Sequence, residues 1–243
     1  MLAVVVENLR KYFKNIKALD GVSFSVREGE IYGLIGPNGA GKTTTLRILA
    51  TLLKPTSGKV EIFGYDVVKD AAEIRKIITY LPEEAGAYNQ LTGYEYLKFM
   101  AGFIADNPDE LERMVQRAAE ISGLGERLND KIKTYSKGMK RRLLIARALM
   151  NQPKLAILDE PTSGLDIIHS FHVRRILRDY ATKHKVTMIV SSHNMLEIEF
   201  LCDRVAIIHK GKIIAEGTPR ELKEEFDAAN LEEVFMKKVM AYA

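Results

Sequence analysis

Gly36-Pro37-Asn38-Gly39-Ala40-Gly41-Lys42-Thr43 has the G-x-x-x-x-G-K-[ST] spacing that wraps backbone N–H groups around phosphate oxygens. The glycines permit the curl, and the N-terminus of the helix that must follow adds roughly half a positive charge. Lys42 then reaches the β and γ phosphates, and Thr43 offers a hydroxyl to Mg2+. A second chemical pair follows the apolar run 155–158, which ends in Asp159 and Glu160. An acid at the end of a buried strand can hold Mg2+ directly or through water, and its neighbour can polarise the water that attacks a γ-phosphate. A phosphate loop alone could belong to a kinase, a GTPase or a motor, so the acidic pair must help to discriminate. No Asn-Lys-x-Asp base-reading motif occurs, which weighs against a guanine-specific enzyme.

These residues need elements to carry them. Val22, Phe24 and Val26 alternate on one extended run and Val60 and Ile62 on another, and both are expected to be antiparallel strands. The run 31–35 reads as a buried strand feeding the glycine loop, and Leu46, Leu49, Ala50 and Leu53 recur at helical spacing behind it. From residue 70 to 150 the strand signal fades and helical periodicity covers 94–104, 109–121 and 136–150, so a helical insert is expected. Short apolar runs return at 155–158, 186–190 and 205–208, as parallel strands buried on both faces should. Lys210-Gly211-Lys212 reads as a tight turn, and residues 222–240 as one charged amphipathic helix.

Composition bounds the rest. The 243 residues, 47% apolar and 28% charged, describe a folding globular chain. A net charge of +4 is too small to announce a nucleic-acid partner. Cys202, the single cysteine, fits a reducing compartment and a buried position. The N-terminus lacks the basic start of a secretory signal, and no apolar stretch reaches the ~20 residues of a membrane span. The run Lys137, Lys140, Arg141 and Arg142 lacks interleaved aromatics and reads as a solvated helix face rather than a nucleic-acid patch.

Three further motifs complete an ordered set: Tyr135-Ser136-Lys137-Gly138-Met139 opening a helix, Pro161-Thr162-Ser163-Gly164-Leu165-Asp166 after the acids, and His193 after a strand. With them the sequence resembles the ATP-binding subunits of ABC transporters over nearly its whole length. The resemblance implies an α/β fold, a RecA-like P-loop NTPase core with an N-terminal antiparallel β subdomain and an inserted α-helical subdomain. It implies one domain over 1–243, with a β-rich part and phosphate loop at 1–69, the helical part at 70–150, the rest of the core at 151–220 and a helical tail at 221–243. ATP and Mg2+ are the implied cofactors. The implied nucleotide-binding residues are Tyr12, Gly36, Pro37, Asn38, Gly39, Ala40, Gly41, Lys42, Thr43, Thr44, Ser136, Gly138 and Asp166. Tyr12, preceding the 19–26 strand by a loop, would stack on adenine, with Phe13 as a rival. Thr43, Glu83 and Asp159 would serve the metal, and Glu160 with His193 the catalysis. Two such subunits face each other head to tail in this family, so Ser136 and Gly138 of one would close over ATP held at Lys42 of the other. The physical reading agrees, since Ser136 is a good helix cap and a helix N-terminus draws an anion.

The resemblance also implies a separate transmembrane permease as partner, a second nucleotide-binding subunit in a homodimer, no nucleic acid, and a cytoplasmic location peripheral to the inner face of the membrane. The loop 84–88 would lie beside the permease's coupling helix. Glu83 stands where most of the family has glutamine, and adds negative charge near the triphosphate. The signature has Lys137 for the usual glycine and Met139 for the usual glutamine. With the tail 231–235, these variants look like the branch whose partners export drugs, lipids, polysaccharides or sodium. The competing reading, a soluble ATPase of this type acting on ribosomes or DNA, usually brings tandem domains or a long coiled coil, and a chain of one domain's length holds neither. A small-molecule kinase would leave the signature helix and His193 unexplained.

Overall fold

The computed structural model describes residues 1–241, two short of the expected tail at 221–243. In chain order the elements are β1 (Leu2–Phe13), β2 (Ile16–Arg27), β3 (Ile31–Ile35), α1 (Lys42–Leu49), β4 (Ser57–Ile62), β5 (Tyr65–Asp66), α2 (Ala71–Ile77) and β6 (Ile78–Leu81). There follow α3 (Gly93–Ala101), α4 (Pro108–Ser122), α5 (Lys137–Leu149), β7 (Leu155–Asp159), α6 (Ile167–His184), β8 (Thr187–Ser192), α7 (Met195–Leu201), β9 (Arg204–His209), β10 (Lys212–Gly217), α8 (Pro219–Glu225) and α9 (Leu231–Ala241). One sheet is antiparallel in the order β2-β1-β4-β5, and the other runs β10-β9-β3-β8-β7-β6. In the second, β9 to β6 are parallel and only β10 is antiparallel to its neighbour.

The apolar strands divide their side chains between two cores with a period of two. Tyr32 and Leu34, Leu155 and Ile157, Ile189, and Ala206 and Ile208 pack with α1 and the antiparallel sheet. Ile31 and Ile35, Ala156 and Leu158, Met188 and Val190, and Val205 and Ile207 pack on the helical side, with α5 and α6. Burial on both faces is why these runs read as continuous rather than alternating.

The two sheets are joined by a polar network as well as by apolar packing. Arg204 on β9 donates to Glu216 Oε1 on β10 at 2.6 Å, to Glu30 Oε1 at 3.3 Å and to the Ser25 carbonyl of β2 at 3.2 Å. Tyr32 OH donates to Glu216 Oε1 at 2.9 Å, and its ring stacks on Phe24 at 5.3 Å. Burial and the neighbouring Glu216 carboxylate push the Tyr32 phenol well above its ordinary range.

Two sequence expectations change, and one strand is added. The runs at 22–26 and 60–62 are antiparallel strands as expected, and the added β1 lies between them and pairs with both. Tyr12 sits on β1 opposite Lys17, and the turn at 14–15 separates it from β2, as expected. Register shifts along β1, and the left-handed backbone of Asn8 (φ 49°), break the alternation that would have announced the strand. Inside the stretch expected to be helical, β6 joins the core sheet beside β7. Four residues, only Ile78 and Leu81 of them buried, are too few to show a period. The tail is two helices, α8 started by a Thr218–Glu221 capping box and α9 beginning after Asp227 (φ 47°). Cys202 is buried, as expected.

Glu30 carries both Arg204 and the Arg27 N–H, the latter at 2.7 Å, from a side chain 6% exposed. Glu30→Ala should lower the unfolding free energy by about 2 kcal/mol through unpaired buried donors, read as a lower denaturant midpoint at unchanged slope.

Candidate functional site

Four adjacent parallel strands, β3, β8, β7 and β6, end on the same side of the sheet. Beyond their carboxyl ends lie the phosphate loop, His193, Asp159 with Glu160, and Glu83 respectively. Ligands of open α/β sheets bind at that edge.

The loop from Gly36 to Gly41 turns straight into α1. Gly41, the cap of α1, has φ 114°, and a Cβ there would lie 2.7 Å from Leu19 Cδ2 and 2.9 Å from the Ala18 carbonyl, so only glycine fits. No acid occupies the first turn of α1, whose N-terminus keeps its positive end. Lys42, 5% exposed, donates to the Gly36 carbonyl at 2.7 Å and the Pro37 carbonyl at 3.3 Å. Its Nζ also lies 3.3 Å from Glu160 Oε1.

Asp159 and Glu160 are held by named neighbours. Ser191 Oγ donates to Asp159 Oδ1 at 2.5 Å, Thr43 Oγ1 to the same oxygen at 3.3 Å, and Tyr80 OH to Oδ2 at 3.3 Å. Burial, then the Asp159 carboxylate, pushes the Tyr80 phenol up and keeps it a donor. The Glu160 N–H donates to Ser191 Oγ at 3.0 Å, and Glu160 Oε2 lies 2.9 Å from His193 Nδ1. Oε1 is buried with no hydrogen bond, only the charge of Lys42 near it. The Glu160 backbone is left-handed at φ 48°, a strained conformation for a residue with a side chain.

The strain is held by Arg141. Its guanidinium, 7% exposed, donates from Nε to Pro161 O at 2.8 Å and from Nη1 to Pro82 O at 3.3 Å and Glu83 O at 3.1 Å. Nη2 donates to Asp159 O at 3.0 Å and Glu160 O at 2.8 Å. Burial pulls the guanidinium down to about 10, so it stays charged at neutral pH. This corrects the solvated reading of the basic run: Arg141 is buried, and Arg142 is half-buried with Nε on Ser122 O at 2.8 Å. The sequence signal was present, because positions 141, 145 and 148 share the buried stripe of α5.

One cleft of about 400 Å³ gathers Pro37, Asn38, Gly39, Gly41, Lys42, Thr43, Thr44, Glu83 and Glu160. Lys17 and Lys210, which sequence reasoning did not single out, also line it. Both owe their place to backbone turns, Lys210 at φ 46° in the β9–β10 hairpin. Gly36 carries the Lys42 bond beneath this cleft, and Ala40 is packed in the core. Tyr12 stands on the neighbouring hairpin, its OH donating to Asp20 Oδ1 at 3.0 Å with Lys17 Nζ 5.7 Å from its ring. Glu83 accepts from Ser163 Oγ at 3.1 Å.

Ser136, Gly138 and Asp166 do not line the cleft. Ser136 caps α5 by accepting the Met139 N–H at 3.2 Å, and Asp166 caps α6 by accepting the His169 N–H at 2.9 Å. That bond, ahead of the one from the His169 ring, holds the Asp166 carboxyl below the usual range.

A phosphate loop on a parallel sheet, with acids at the next strand ends and a helical insert, defines a P-loop nucleotide hydrolase. The ABC transporter family matches residues 19–163. The chain is 40% identical over 216 residues to the linearmycin resistance ATP-binding protein LnrL of Bacillus subtilis, covering 89% of this chain and 69% of that one. It is 43% identical over 209 residues to the bacitracin transport ATP-binding protein BcrA of Bacillus licheniformis, covering 86% and 67%. Among solved structures, the ATP-binding cassette MJ0796, captured as a dimer in a post-hydrolysis state bound to ADP and Pi, superposes with a TM-score of 0.78 at 28% identity, covering 88% of this chain and 98% of that one. The chain belongs to the ABC transporter family, as an ATP-binding subunit that hydrolyses ATP to energise transport. Its α/β fold with an antiparallel β subdomain is that of the family's cassettes, which dimerise and work with membrane subunits.

Lysine cannot replace the five-donor fork of Arg141. Arg141→Lys should cost at least about 2 kcal/mol of stability, since buried carbonyls lose their donors, and turnover should fall with it while the helical content by circular dichroism stays unchanged.

Proposed function

We propose that two copies of this chain close head to tail around two Mg·ATP and drive a separate membrane permease that exports an antibiotic-like compound. The observation that carries this reading is the division of the motifs. Phosphate loop, Glu83, Asp159, Glu160 and His193 meet at one end of the sheet, whereas Ser136, Gly138 and Asp166 lie outside the lining of that cleft, at the starts of α5 and α6. The first group binds a triphosphate, and the second completes the pocket of another copy.

ATP would seat on the phosphate loop with Tyr12 against the adenine and Asn38, Gly39, Ala40, Gly41, Thr43 and Thr44 around the phosphates. Lys42 exchanges Glu160 for the γ-phosphate as its counter-ion. Glu160, still held through Oε2 by His193, then has Oε1 available to accept a proton from the attacking water. The water oxygen bonds to the γ-phosphorus as its bond to the bridging oxygen breaks, and ADP leaves. Mg2+ suits the hard oxygens present: Thr43 Oγ1 and Asp159 Oδ1 are 3.3 Å apart, with the Glu83 carboxylate on the same cleft. An ion held by these residues would supply neutralisation of the phosphate charge.

The permease would dock beside Glu83. The loop 84–88 leads from Glu83 to Tyr88, which meets Phe99 edge-on at 5.5 Å, and Phe99 meets Phe103 at 5.0 Å. Tyr88, Phe99 and Phe103 are all exposed, Phe103 at 73%. An exposed aromatic row invites a partner. No helix among the described residues is long and apolar enough to cross a membrane, so the chain would sit peripherally on the inner face through that permease. Nucleic acid has no place in this reading, and two members of the basic run, Arg141 and Arg142, are bonded to carbonyls of the chain itself.

Glu160→Gln should keep ATP binding, cut turnover by about 100-fold or more, and accumulate a dimer in Mg·ATP by light scattering; turnover near that of the parent would remove Glu160 from its role. Phe103→Asp should leave nucleotide binding intact yet release the chain from membranes carrying its permease. Cosedimentation of the parent chain with ribosomes instead of those membranes would reinstate the competing reading.

A further inference from the structure

Two side chains clasp the start of α5 to the start of α6. From α5, Lys137 reaches the loop ahead of α6, where a Cβ on Gly164 would meet Lys137 Nζ at 2.0 Å. From α6, His169 reaches back, and a Cβ on Gly138 would meet His169 Cδ2 at 2.1 Å and Cγ at 2.5 Å. Each segment thus presents a glycine to a side chain of the other, and neither glycine can carry a side chain without pushing its partner away.

The imidazole is aimed by one carboxylate. Asp166 accepts the His169 N–H on Oδ1 at 2.9 Å and lies 2.7 Å from His169 Nδ1 through Oδ2. A carboxylate only accepts, so Nδ1 carries its hydrogen and the opposite edge of the ring faces Gly138. The ring remains about one-third exposed, a poor site for an imidazole chosen merely to fill space.

We propose that His169 is a positioning residue of the composite ATP site: held by Asp166, it keeps the Ser136–Gly138 turn in register with the loop bearing Asp166, so that both reach a triphosphate carried by a second copy together. This rests on the head-to-tail pairing proposed above. The pairing supplies the need for register, since a turn displaced by an ångström loses a phosphate contact made across two chains.

The test compares His169→Ala, His169→Phe and His169→Gln in the full chain, each alone and combined with Glu160→Gln. His169→Phe keeps a ring over Gly138 but loses the Asp166 bond, and His169→Gln keeps a donor. The expected result is a fall of about 10-fold in kcat for the alanine and phenylalanine variants. In the Glu160→Gln background, the same two should need about 10-fold more protein for half-maximal dimerisation in Mg·ATP. Their melting temperature and their affinity for a fluorescent ATP analogue as single chains should match the parent, because an exposed ion pair adds little stability. The glutamine variant should recover a substantial part of both losses. Parental kcat and dimerisation in His169→Ala, or parental behaviour in His169→Phe, would overturn the proposal. Failure of Glu160→Gln alone to dimerise would instead overturn the pairing, and the proposal with it.

Discussion

The buried Arg141 guanidinium is the contact on which the catalytic end of this protein depends. Five donors meet five carbonyls drawn from two separate segments, the Pro82–Glu83 corner and the Asp159–Glu160–Pro161 strand end. Desolvating an arginine is costly, and an unbonded N–H there would add to the cost. Every one is used. The arrangement also accounts for the left-handed Glu160 backbone, whose carbonyl is held at 2.8 Å by Nη2 and whose N–H is held by Ser191.

The sheet supplies the remaining precision. Asp159 is in register with Ser191 across β7 and β8, and the serine hydroxyl serves both Asp159 Oδ1 and the Glu160 N–H. A shift of one residue would turn Asp159 toward the opposite core. Two cores guard against that shift, since Leu158 and Ile157 fill opposite sides of the sheet. The site is therefore placed by burial first and by hydrogen bonds second.

Much of this was legible in the sequence. Motifs whose spacing encodes local backbone geometry, such as residues 36–43 and the strand ending in Asp159, could be placed on their elements directly, as could Ser136 at a helix start. The parallel strands were readable because burial on both faces leaves unbroken apolar runs. What escaped depended on partners distant along the chain. β1 reads as irregular alone, and becomes a strand only with β2 and β4 on its two sides. β6 is too short to have a period and exists through β7. Arg141 was misread because charge in a basic run suggests solvent, while its acceptors lie 18 to 59 positions away. Lys17 and Lys210 are ordinary lysines until the hairpins bring them to the cleft.

The charge around the cleft argues for a second copy on its own terms. Three lysines line it, yet Lys42 is already balanced by Glu160, and Glu83 and Asp159 add negative charge beside them. One chain thus offers a triphosphate the N-terminus of α1 and little net positive potential beyond it. Elsewhere on the same molecule, α5 starts from a neutral Ser136, with Lys137 and Lys140 and no acid in its first turn. The start of α6, by contrast, is answered by its own Asp166. A second helix end that retains its positive field, on a chain whose phosphate cleft has only the start of α1, is complementary to that cleft in another copy. On the proposed head-to-tail closure, ATP is the counter-charge that both surfaces require, and its hydrolysis removes the attraction that holds them together.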